Sequence, residues 1–268
     1  MKFPLFLMLM VTGFSCLAQK NISGRIIAEE KGKTPVSYAN IGIPGKNLGT
    51  VSNLNGEYSL SIPDSLSKDS VRFSAIGFKP KTLAIKDLQK LKEISLSAQI
   101  FDIPEVEIKS SKLKEKILGY KTDSRAMQAG FTSNKLGNEV GVRIKTKGRE
   151  TYLKEFATNI SSNTYDTVKF RLNIYTIKDD LPHQNILKEN IIITTTIEQG
   201  RVAVDLTPYK IWIDEDVIVT MEWIEDLGEQ GLYFSAGFLG TVYGRQTSQG
   251  DWEKVSGIRL GLNMKVAY

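Results

Sequence analysis

The sequence predicts an all-β protein of two β-sandwich domains, and three observations lead there. Short apolar–polar alternations recur from Asn21 to the last residue, Tyr268. Clusters of Gly, Pro, Asn and Ser punctuate them at short intervals, the rhythm of antiparallel strands and turns rather than of helices. One polar, Lys- and Ser-rich stretch, 110–135, separates two such series. The 268 residues are 41% hydrophobic, enough for each half to bury a core.

In the first series Ile22–Ile27 opens as a strand. Val36–Ile43 alternates apolar with small or polar residues, and Gly45–Gly49 reads as a turn. Tyr58–Ile62 is stopped by Pro63-Asp64. Val71–Ile76 follows, then a bend at Gly77–Pro80, Lys81–Ile85, and Glu93–Leu96 before the segment carrying Val106 and Ile108. Asn55-Gly56 suits a tight turn needing positive φ, and Gly77 a bend between strands.

The stretch 110–135 is weakly periodic and reads as a linker with one helical turn near Leu113–Leu118. Beyond it Val142–Lys145 and Tyr152–Phe156 are strands. Thr167–Tyr175 puts Val168, Phe170, Leu172 and Ile174 on one face, with Lys169 and Arg171 on the other. Ile191–Ile197 is β-branched throughout and suits a central strand. Arg201–Leu206, Lys210–Ile213, Val217–Ile224, Gly231–Ala236 and Ile258–Val266 complete a jelly-roll-like sandwich. The alternation from Ile258 to Tyr268 also resembles the closing strand of an outer-membrane barrel, but the charge-rich strands elsewhere favour a sandwich.

The residues of the first half, in their order, resemble the carboxypeptidase-regulatory-like domain, a transthyretin-like β-sandwich. Ile22-Ser-Gly-Arg-Ile matches its opening strand and Thr34–Ile41 its second. Gly49-Thr-Val-Ser-Asn-Leu-Asn-Gly-Glu-Tyr-Ser-Leu matches its hairpin, with Asn53 where the family often has Asp. Phe73–Phe78 and Pro104–Ile108 match the later strands. The resemblance implies an accessory domain, found beside peptidases and before the plug and barrel of TonB-dependent receptors. It carries no activity of its own. The second half is similar to sandwich domains appended to this module in Gram-negative envelope proteins, through Phe170–Tyr175 and Val204–Tyr209.

The expected organisation is therefore a signal peptide at 1–18, a β-sandwich at 19–109, a linker at 110–135 and a second sandwich at 136–268. Lys2, the apolar run Phe3–Phe14 and the small residues Ser15 and Ala18 have the order of a secretory signal, too short to span a bilayer as a permanent helix. Cleavage after Ala18 removes Cys16, the single cysteine; lipidation of Cys16 is the membrane-anchored alternative, although Phe14 fits a lipobox poorly. No later run has transmembrane length. The net charge of +5 is small and interspersed, which argues against nucleic acid as a partner.

Catalytic constellations are scarce. His183, the single histidine, lies in a polar turn without a zinc-ligand set or a G-x-S-x-G partner. The glycines do not space as a phosphate loop. The carboxylates Glu222 and Glu225 are the pair open to a glycosidase reading, and Asp214–Asp216 a weak calcium loop. No cofactor or metal is expected. The aromatics are more suggestive. Trp212, Trp223, Tyr243 and Trp252 are the candidate contacts for a ligand or partner, with Trp252 the most exposed in expectation. The expectation is a non-enzymatic protein of the periplasm or outer membrane, with display at the cell surface the alternative, that acts through an envelope protein partner. Carbohydrate binding by these aromatics is the alternative, and a carboxylate-dependent hydrolase a third.

Overall fold

The computed structural model describes residues 19–30, 32–99, 113–228 and 231–268. The signal-like run, Cys16 and the Pro104–Ile108 match lie outside the described residues. The N-terminal module holds β1 (Gln19–Ala28), β2 (Asn40–Ile43), β3 (Leu48–Val51), β4 (Glu57–Pro63), β5 (Ser70–Ser74), β6 (Lys81–Ala84), the short helix α1 (Ile85–Leu88) and β7 (Glu93–Leu96). They form two sheets, in the orders β4-β1-β7 and β3-β2-β5-β6. Ile26, Ile41, Ile62, Phe73 and Leu88 fill the space between. Two strands are shorter than the alternation suggests. Val36–Ile43 becomes a strand only at Asn40, because Tyr38 takes a φ of +55° and turns the chain. Lys81–Ile85 ends at Ala84, where α1 begins. Asn55-Gly56 makes the expected turn: Gly56 has φ +75°, and the Asn53 side-chain oxygen accepts from the backbone N–H groups of Asn55 and Glu57.

The rest is larger. It comprises β8 (Glu115–Gly119), β9 (Gln128–Gly130), β10 (Glu139–Ile144), β11 (Thr151–Asn163), β12 (Val168–Lys178), β13 (Leu181–Asn185), β14 (Ile191–Thr195), β15 (Gly200–Asp205), β16 (Trp212–Ile213), β17 (Val217–Trp223), β18 (Leu232–Arg245), β19 (Glu253–Leu260) and β20 (Leu262–Ala267). The long β18 joins two layers, pairing with β11 through its first residues and with β10 through its last. Phe156, Ile160, Met264 and Val266 of one layer meet Phe170, Leu172, Val219 and Met221 of the other. The terminal alternation is two strands broken at Gly261, β19 paired with β18 and β20 with β11 and β8, with Leu260, Leu262, Met264 and Val266 fully buried.

The stretch expected to be a linker is instead part of this sheet system. β8 pairs with β20, and β9 with β18. The segment near Leu113–Leu118 is a strand, not a helical turn. The reason is its place at an edge. β8 has a strand neighbour on one side, so Lys114 and Lys116 stay in water while the backbone completes the sheet. Lysines are a common guard on such edges, and they give the sequence the look of a linker.

Candidate functional site

The feature that sets this molecule apart lies on the face of the second module covered by the first. On β12 the core side is Val168, Phe170, Leu172 and Ile174, each fully buried. Strand alternation sends Arg171, Asn173 and Tyr175 to the opposite face, where water is the ordinary neighbour. Here those three are buried as well, together with Thr220 and Glu222 of β17 and Glu139 of β10.

The registers place four charges side by side. Arg171 of β12 is opposite Glu222 of β17, Glu222 is opposite Glu139 of β10, and Glu139 is opposite Arg245 of β18. The row therefore reads plus, minus, minus, plus across four adjacent strands. Two like charges directly opposite each other destabilise a sheet, and these two are also out of water. Flanking donors offset that. Arg171 directs Nε (2.9 Å) and Nη2 onto Glu222 Oε2, and Asn173 donates to both carboxylates. Tyr175 and Thr220 donate to Glu139, and Arg245 Nε lies 2.7 Å from Glu139 Oε2.

The two carboxylates titrate in opposite directions. Burial pushes Glu139 up, Arg245 pulls against it, and the neighbouring Glu222 adds to the rise. Burial also pushes Glu222 up, but Arg171, Arg245 and Asn173 override it and hold its carboxyl below the usual range.

The N-terminal module closes the row. The positive φ of Tyr38 aims its carbonyl at Arg171 Nη1, and the Asn40 side-chain oxygen accepts from Arg171 Nη2. The Asn40 amide donates to Glu222 and, at 2.9 Å, to Ser248 Oγ. Gln249 donates to Ser74, and the Asp251 N–H to Asn47. Close approach is built in through glycine: a Cβ on Gly49 would overlap the Ser248 carbonyl oxygen. Tyr38, Val51 and Ile224 form a small apolar cluster beside the charges.

The expected site residues are scattered around this arrangement. Trp223 is 2% exposed, in the core against Phe131 and Tyr165, and Tyr243 is equally buried. Trp223 sits on the core face of β17 and presents no ring to a ligand, whereas Tyr243 lies on the face of β18 opposite the core residue Val242 and lines a cleft with Arg143 and Lys254. Trp252 is half-buried rather than open: its ring meets Tyr175 edge-on, and Arg245 lies 4.9 Å above it. Trp212 is half-buried, stacked on Tyr152, and lines a shallow cleft with Tyr209 and Lys210. Glu222 is closed to solvent and held by Arg171, while Glu225 is paired with Lys169, so the glycosidase pairing does not form an open site. Asp216 accepts from the backbone of Thr146 and Lys147 and binds Arg143, a structural role. His183 is an exposed residue of β13 rather than of a turn. Among the described residues no group of three or more His, Cys, Asp or Glu is placed to hold a metal ion.

Residues 22–108 match the family model of the CarboxypepD_reg-like domain. The N-terminal module is thus a CarboxypepD_reg-like domain, and the match stops before the second module. Its hairpin glycine, Gly49, is the residue that meets Ser248, and its second strand carries Asn40. No curated protein matches the chain. Among solved structures, the subviral particle of infectious bursal disease virus VP2 is similar at 9% identity with a TM-score of 0.27. That match covers 94% of this chain and 64% of VP2. Among the described residues no helix is long and apolar enough to cross a membrane.

Proposed function

We propose that the protein is a non-catalytic interaction module of the cell envelope, in which the CarboxypepD_reg-like domain is locked to a second sandwich that engages a protein partner. The signal-like N-terminus and the family's accessory role support the compartment. The observation that carries the interaction reading is the bulge of β18. Phe238 and Leu239 are 74% and 93% exposed there, and Leu239 holds a φ of +63°. A branched apolar side chain held outward in a left-handed conformation is strained by about 1–3 kcal/mol, and such strain concentrates at contact sites. The bulge borders a cleft of about 650 Å³ lined by Arg143, Lys145, Lys254 and Arg259 against the single carboxylate of Asp180. An acidic partner segment with an apolar anchor fits that lining.

A photo-crosslinking amino acid at Leu239, with Leu54 of the N-terminal module as control, tests the reading in cells. One envelope protein captured from Leu239 and not from Leu54, and lost on Lys145→Glu with Arg259→Glu, is the expected result. Equal or no capture at the two positions contradicts it. Trp212, open at its cleft, supports a second reading as a carbohydrate contact; a glycan bound by the native protein and lost in Trp212→Ala would establish it.

A further inference from the structure

A second cleft, of about 490 Å³, lies between the two modules, above the buried charge row. Arg72, Ser74 and Gln99 line it from the N-terminal module; His183, Asn185 and Arg245 face them from the other. Sites of this size at domain junctions are common places for small ligands. The lining is unusual in its chemistry. Six carboxamides and no Asp or Glu contribute to it, and its cations are Arg72 and Arg245, with His183 beside them.

Both guanidiniums have donors to spare. Arg72 is exposed and makes no ion pair or side-chain hydrogen bond among the described residues. Arg245 is 11% exposed. It pairs with Glu139 through Nε at 2.7 Å, and among the described residues its Nη groups make no hydrogen bond. The floor is preorganised: Asn173 and Tyr175 are fixed by Glu139 and Glu222, and Asn185 by Asn173. Guanidinium donors select an oxyanion, and carboxamides, which both donate and accept, match hydroxyl groups.

We infer that the intermodule cleft binds a small hydroxyl-rich carboxylic acid, of the uronic-acid sugar class and one or two rings in size. Arg72 and Arg245 receive the carboxylate, and Asn185, Gln184 and Gln249 receive the hydroxyls. This site is separate from the β18 bulge, so either assignment can fail without the other.

The test is a titration of the isotopically labelled full chain with digalacturonate, followed by amide resonances. Its methyl ester and inorganic sulfate serve as controls. Saturable shifts at Ser74, Gly77, Asn185 and Gln249 with digalacturonate are expected, with the ester at least about ten-fold weaker and sulfate weaker still. Arg72→Gln, at an exposed and unpaired position, should weaken digalacturonate by about ten-fold while leaving the spectrum folded. The proposal is overturned by an absence of saturable shifts at these residues, by equal binding of acid and ester, by sulfate binding as tightly as the sugar acid, or by an Arg72→Gln protein that binds unchanged.

Discussion

Two sets of charges on the second module pair carboxylates with basic side chains alike and differ in what covers them. On the outer surface Asp180 bridges Arg143 and Lys254 in water, each side chain roughly 35–44% exposed. Under the N-terminal module Arg171, Glu222, Glu139 and Arg245 form an equally dense set at 0–11% exposure. Solvent screens the first set, and such pairs are worth about 0–1 kcal/mol. The second set gave up its hydration when the modules met. Its members depend on one another, because removing one leaves a buried charge without a counterion. The same chemistry is left to solvent in one place and is a fastening in the other.

The largest expected effect follows from breaking the fastening. Glu222→Ala strands Arg171 and should lower stability by about 3–5 kcal/mol in denaturant unfolding. Replacing Arg171 and Glu222 together, as Arg171→Met with Glu222→Leu, should recover most of that loss, since the stranded charge goes with its partner. Gly49→Ala, which forces a methyl group against the Ser248 carbonyl, should cost about 1–3 kcal/mol and leave β1, β4 and β7 protected in hydrogen exchange.

The pH response separates the two buried carboxylates. The folded pKa of Glu222 lies below its ordinary value of 4.5, so its contribution is present above about that pH and is lost as pH falls through the lowered value. Glu139 has a raised pKa, so folding favours its protonated form and its penalty grows as pH rises through that value. Glu222→Gln should therefore be more damaging at neutral pH than Glu139→Gln, and should flatten the acid limb of the stability curve; equal losses in the two variants would contradict this. The smallest effect belongs to the surface set: Asp180→Asn should change stability by less than about 1 kcal/mol, and the change should shrink further in salt.

The sequence revealed the strands more readily than the relation between the modules. The alternation on β12 and the β-branched run from Ile191 mark real strands, although β14 pairs with β12 alone and is an edge strand rather than a central one, and the motif from Gly49 to Leu60 marks the first module. The polar side of β12 was misleading. Lys169 and Arg171 share the face opposite the apolar one, yet Lys169 is half-buried at the rim and Arg171 is sealed beneath Asn40. Period-two patterning distinguishes apolar from polar faces; it does not distinguish water from a neighbouring domain. The charge row itself depends on registers among β12, β17, β10 and β18, which are distant in sequence. Trp223 is in the core and Tyr243 lines a cleft, and an aromatic in a strand looks the same in sequence whichever face it takes.

The central claim is that Asn40 of the first module and Glu222 of the second act on one another. A double-mutant cycle with Asn40→Ala, Glu222→Gln and the pair, read by equilibrium unfolding, measures that directly. A coupling between about 0.5 and 3 kcal/mol is predicted, the range of residues in one hydrogen-bond network. Losses that simply add, to within about 0.3–0.5 kcal/mol, would mean that the two modules are not fastened through this pair.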